Sequence, residues 1–147
     1  MIDFILSINP VLIIVFTPWI LAQAIKFIVG AVEGKVDFYN FITTGGMPSG
    51  HSTAVCALAT GIGLSSGFSS SSFAIAVVIA TIVMHDAVVI RGAQGKQAQI
   101  LNKMIDKFIN QKEFNYHHLI GHKPIEVVAG AILGISSAFG IWFLFYV

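Results

Sequence analysis

Charge is what this sequence has least of. Asp, Glu, Lys and Arg make up 10% of its 147 residues, while 56% are hydrophobic and the mean hydropathy is +0.85. A soluble domain averages about 25% charged residues. Too few are present here to cover a water-facing surface, so an ordinary soluble globule is excluded and part of the solvent is lipid. Cysteine is nearly absent too. Cys56 is the only one, which excludes an internal disulfide and leaves the redox compartment unread. It sits in an apolar run, where burial as an inert thiol is the ordinary outcome.

What is present is a set of long charge-free stretches. Between Asp3 and Lys26 lie 22 residues without formal charge, enough to cross a hydrocarbon core of about 30 Å. A signal peptide is the competing reading, since Ala22-Gln23-Ala24 resembles a cleavage site, but Asp3 stands where a basic leader belongs. A bend is expected at Pro10 or Pro18. No formally charged residue occurs from Phe38 to His85, too long a stretch for one span, and the turn-forming run Gly67 to Ser72 divides it. A second span is expected from Pro48 to Ser66 and a third from Phe73 to Arg91. Glu126 is followed by 21 uncharged residues, the fourth.

The predicted fold is all-α. It is a polytopic integral membrane protein of about four transmembrane helices, forming a single domain over 1–147 with spans near 4–30, 48–66, 73–91 and 122–147. In the segment 92–121, Ile100, Leu101, Met104, Ile105, Phe108 and Ile109 recur at helical spacing, with Lys96, Lys103 and Lys107 elsewhere on the wheel. Such a helix is expected in the membrane interface against anionic lipid. Gly130, Gly134 and Ala138, Ala57 and Gly61, and Ala76 and Ala80 recur every fourth position, the spacing of close helix contacts in lipid.

Counting four spans puts the polar residues at one end. Lys26 closes the first span there and His51 opens the second. His85, Asp86 and Arg91 close the third, and His122 and Glu126 open the fourth. Polar groups within spans are costly and usually mark function, although anchoring at the interface is the plainer alternative for Lys26. His122 and Glu126, four apart, would share a helix face, so that the carboxylate orients the imidazole. His51 follows Pro48-Ser49-Gly50, a helix start whose amides and dipole favour phosphate. Two histidines can divide phosphoryl transfer into attack and protonation of the leaving oxygen, while Lys26 and Arg91 neutralise phosphoryl oxygens. Gly92-Ala93-Gln94-Gly95-Lys96 has the wrong spacing for a phosphate loop, and no strand precedes it. His85, Asp86, His117 and His118 lack a recognised metal spacing, so neither metal nor cofactor is expected.

Two motifs among these residues resemble those of a known family. Gly46-Met47-Pro48-Ser49-Gly50-His51-Ser52 resembles the Pro-Ser-x-His motif of the type 2 phosphatidic acid phosphatase and vanadium haloperoxidase superfamily. Gly121-His122-Lys123-Pro124-Ile125-Glu126-Val127-Val128-Ala129-Gly130 is similar to its His-x-Pro-x-Asp-Val-x-x-Gly motif, with Glu126 replacing Asp. The chain as a whole most resembles a divergent branch of that superfamily, sharing Ala22-Gln23-x-x-Lys26, Ile82 to Ala87, Arg91 and Gly95-Lys96-Gln97-Ala98. The resemblance implies a metal-independent lipid phosphatase with His122 as nucleophile, Glu126 as its partner and His51 as general acid. Ser49, Gly50, Gln23, Lys26, Asp86, Arg91 and Lys96 are then the substrate-binding set. Two departures stand out: Tyr116 occupies the position of the usual Arg six residues before the nucleophile, and the Lys-x6-Arg-Pro motif is absent.

The expected substrate is a lipid or isoprenoid phosphate, monoester or diphosphate. A non-catalytic binder or carrier of anionic lipids and a structural membrane subunit are the alternatives. Membrane lipids are expected partners and nucleic acid is not, while a homodimer suits so small a bundle. Six of the eight Lys and Arg lie between Arg91 and Lys123, which points the site face toward the cytoplasm.

Overall fold

The computed structural model describes residues 9–32, 46–108 and 123–146. Among them every regular element is helical: α1 (Pro10–Val32), α2 (Gly50–Ser66), α3 (Ser71–His85), a π-helical turn (Asp86–Ile90), α4 (Arg91–Phe108) and α5 (Pro124–Phe145). Asn9 starts α1, its Oδ1 accepting the Val11 amide at 2.9 Å. Pro10 is the first helical residue, where its missing N–H costs nothing. It therefore gives no reason for a bend. Pro18 lies inside α1, which nonetheless continues to Val32.

Helix α2 is the hub. It packs on α5, α1 and α3, and α1 also touches α5. Its buried residues are small: Gly50, Ser52, Thr53, Cys56, Ala57, Ala59, Thr60, Gly61 and Gly63. The side chains that elsewhere would form a core point outward instead, with Ile28 61% and Leu144 78% exposed. Small residues inside and large apolar ones outside is the arrangement of helices packed in lipid, where tails are as apolar as leucine and association depends on close backbone approach. The buried hydroxyls are satisfied locally. Thr53 Oγ1 donates to Ser49 O at 2.9 Å and Thr60 Oγ1 to Cys56 O at 2.8 Å, the usual back-bonding of such residues within helices.

Helices α1, α3 with the start of its π turn, and α5 are long and apolar enough to cross a membrane. Helix α2 has 17 residues, about 26 Å at 1.5 Å per residue, against a core of about 30 Å. The four expected spans thus appear as four helices, of which three have the length and apolarity of a span.

The largest difference from expectation lies at Arg91. A third span was expected to end there and a separate segment to begin. Instead α3, the π turn and α4 succeed one another without a break from Ser71 to Phe108. Helical hydrogen bonds do not register the change from apolar to polar side chains, and the π turn absorbs the transition within the helix. Such single turns are frequent at functional sites. Among the described residues, α4 packs mainly against that turn, and Lys96, Lys103, Lys107, Ile100, Leu101 and Met104 are exposed. Residues 109–121 of the expected interfacial segment lie outside the described residues.

Candidate functional site

The site begins with how α2 and α5 meet. They run side by side in steps of four. A Cβ at Gly130 would collide with the Ser49 carbonyl oxygen, and one at Gly134 with that of Thr53. One turn further on, Ala57 and Ala138 share the buried core with Ile14. Only residues without a side chain permit this approach. Its consequence is a hydrogen bond between elements: the Ser49 amide donates to Glu126 O at 2.9 Å. Two helix starts are thereby fastened together, and their positive dipole ends fall at one place, which suits an anion.

Ser49 is the N-cap of α2 and is fully buried. Its Oγ accepts from the Ser52 hydroxyl at 3.0 Å and, more loosely, from the Ser52 amide at 3.4 Å. It organises the helix start from within. The Met47–Pro48 peptide is cis, and Gly46 has φ +90°. Gly50 is buried against α1, the place of its absent Cβ lying 3.6 Å from Gln23 Nε2 and from the Trp19 ring. Gln23 Oε1 is buried with no hydrogen-bond partner among the described residues. One turn along α1, Lys26 is half-buried, and the Glu126 carboxylate acts on it electrostatically.

Glu126 does not take its place by the route expected. The pairing with His122 was argued from a shared helix face, but α5 opens only at Pro124, with Lys123 as N-cap in extended conformation. That argument does not apply. The Glu126 carboxylate instead turns back over its own helix start and accepts the Lys123 amide at 3.2 Å, half of a capping box. His122 lies outside the described residues, as do His117 and His118.

On the other flank of α2, a cleft of about 380 Å³ is lined by His51 and by one stripe of α3 and the π turn: Ile82, Val83, His85, Asp86, Ala87 and Ile90. His51 and Asp86, expected together, do meet here. Lys96 is exposed on α4 and does not line the cleft. Arg91 opens α4, and its side chain lies outside what is described. His85 was expected at this end beside Asp86 and weighed as a metal ligand, but it was not counted among the substrate-binding residues. The available signal was its place three residues after Ile82 and one before Asp86, on the face that turns toward α2.

The family model described as "Divergent PAP2 family" matches residues 7–137, a range that contains both helix starts and the cleft. The chain belongs to the divergent PAP2 family. A relative named "Uncharacterized membrane protein YuiD", from Bacillus subtilis (strain 168), is 40% identical over 131 aligned residues, covering 79% of this chain and 83% of the relative. No solved structure matches. With three helices apolar and long enough to cross a bilayer and a relative named as a membrane protein, this divergent PAP2 member is itself a membrane protein. Within it, the Pro48–His51 motif and the motif ending at Gly130 are the two segments that the Ser49–Glu126 hydrogen bond and the Gly130 contact hold together.

Proposed function

We propose that this chain is a membrane-embedded phosphatase that hydrolyses a lipid or isoprenoid phosphate, monoester or diphosphate, through a phosphohistidine intermediate. His122 attacks phosphorus, the bond from phosphorus to the leaving oxygen breaks, and His51 gives that oxygen its proton. Water then attacks the phosphohistidine, returning a proton to His51 and releasing phosphate from His122. Glu126 orients the nucleophile. Gln23, Lys26, Ser49, Gly50, Asp86, Arg91 and Lys96 surround the substrate, and the chemistry needs no metal. In this reading α1, α2, α3 and α5 all cross the bilayer, α4 lies along its surface, and the site faces the cytoplasm.

The observation that carries the reading is the fastening of Ser49 to Glu126. It brings together the starts of the two helices that bear the superfamily's motifs, with Lys26 beside them. A structural subunit has no need of such an arrangement. The test is phosphate release by purified protein from a panel of lipid phosphates, beside His122→Ala and His51→Ala. Each substitution is expected to lower turnover about 100-fold or more while the helical content is retained. Release that survives both ends the mechanism. Tight binding of lipid phosphates without release points to the anionic-lipid binder.

A further inference from the structure

The proposed chemistry uses His51 and Asp86 from the cleft but leaves the rest of its lining without a task. His85 is exposed, and no hydrogen bond or ion pair involves it among the described residues. Around it lies an apolar wall. Val83 is half-buried, while Ile82 and Ile90 are 62% and 51% exposed. The cleft is therefore polar where His51 of α2 meets His85 and Asp86, and apolar where α3 and the π turn supply Ile82, Val83, Ala87 and Ile90.

We infer that this cleft holds the junction of a lipid phosphate, with His85 hydrogen-bonded to the headgroup phosphate and the wall of Ile82, Val83 and Ile90 against the first methylenes of the chain. The inference rests on the phosphatase reading of His51 and deepens it by naming where the substrate's tail goes. Three features support it. Two imidazoles from different helices face one space, and each can donate to a phosphoryl oxygen. The apolar wall adjoins that polar end directly, so one amphiphile satisfies both. Ile82 and Ile90 are exposed on the α3 side, so a chain already in the bilayer reaches the wall without passing through water, where each methylene would cost about 0.8 kcal/mol. The binding residues thus include one outside the Pro-Ser-x-His and His-x-Pro-x-Asp motifs, next to Asp86.

The experiment uses the full chain in detergent micelles, with a long-chain phosphatidic acid and water-soluble glycerol 3-phosphate as probes, each as substrate and as competitor. His85→Ala is expected to raise KM or the inhibition constant of both probes about tenfold, the loss of a hydrogen bond to a charged group, with kcat changed less. Val83→Trp is expected to weaken the long-chain probe about tenfold and to leave glycerol 3-phosphate within about twofold. Ile82→Ala, at an exposed position that does not threaten folding, should shift the same way by a smaller factor. Unchanged constants for both probes in His85→Ala overturn the headgroup role. Equal effects of Val83→Trp and Ile82→Ala on both probes overturn the tail role. If the wild type releases no phosphate, the phosphatase reading has failed separately. Equilibrium binding of the same probes to the same variants then decides the inference.

Discussion

The two ends of α2 are held in opposite ways. At its C-terminal end the chain reverses through Gly67, with φ +89°, and every hydrogen bond is local. The Ser70 amide and hydroxyl both donate to Gly67 O, at 3.1 and 2.8 Å, and Ser70 Oγ accepts the Phe73 amide at 3.2 Å. The Phe68 and Phe73 rings meet edge to face at 5.1 Å. At the N-terminal end, the Ser49 amide reaches across to a different helix, and α1, α3 and α5 each bring polar residues. A turn that only reverses the chain can be built from its neighbours in sequence. A site assembled from four helices needs bonds and contacts between them.

That contrast yields three graded expectations. The largest concerns Gly130→Val. The new side chain meets the Ser49 backbone, so α2 and α5 must part, at an overpacking cost of about 1–3 kcal/mol. Thermal unfolding in detergent should show the loss, and phosphate release should fall further than the stability change accounts for, because the Ser49–Glu126 bond breaks. A variant with wild-type activity would mean that the fastening does not matter to the site. Next comes Ser70→Ala at the other end. Loss of an N-cap costs about 1 kcal/mol, and here activity should stay level while stability drops. If activity falls as well, the two ends are not independent. The smallest effect is expected for Glu126→Gln. The amide keeps a weaker cap, with a loss of a few tenths of a kcal/mol at a helix start, but it removes the charge that acts on Lys26. Turnover of a lipid phosphate should fall, because Glu126 orients the nucleophile, while the unfolding temperature barely moves, which separates the part Glu126 plays in the reaction from its capping role.

How much of this could be read beforehand follows the same division. Three apolar helices of spanning length were legible, because charge-free length is a direct physical requirement of the bilayer. The Gly67–Ser72 turn was legible from composition, and the fourfold spacing of Gly130, Gly134 and Ala138 correctly marked a close helix contact. Hidden was what depends on continuity and on pairing across helices. The change in composition at Arg91 suggested an end, whereas the backbone runs on to Phe108. Pro124 marked a helix start, but the spacing of His122 and Glu126 invited a helical argument that the Lys123 N-cap removes. His51 and Asp86 were placed together by counting spans. His85 was placed at the same end, one residue before Asp86, but it was given no binding role, since a histidine at a span end is equally an anchor.

The Ser49–Glu126 hydrogen bond also sets an order of events in time. Its partners stand 77 residues apart in sequence, and Glu126 belongs to the last helix. A chain made from its N-terminus forms α2 early, since domains and their parts fold as synthesis proceeds. Through the synthesis of α3, the π turn and α4, the Ser49 amide waits without its final acceptor. The hairpin end of α2 is finished as soon as Phe73 has been added. The N-terminal end is fastened only when α5 arrives, so a product truncated before Pro124 can carry α1, α2 and α3 and still lack that cross-helix bond.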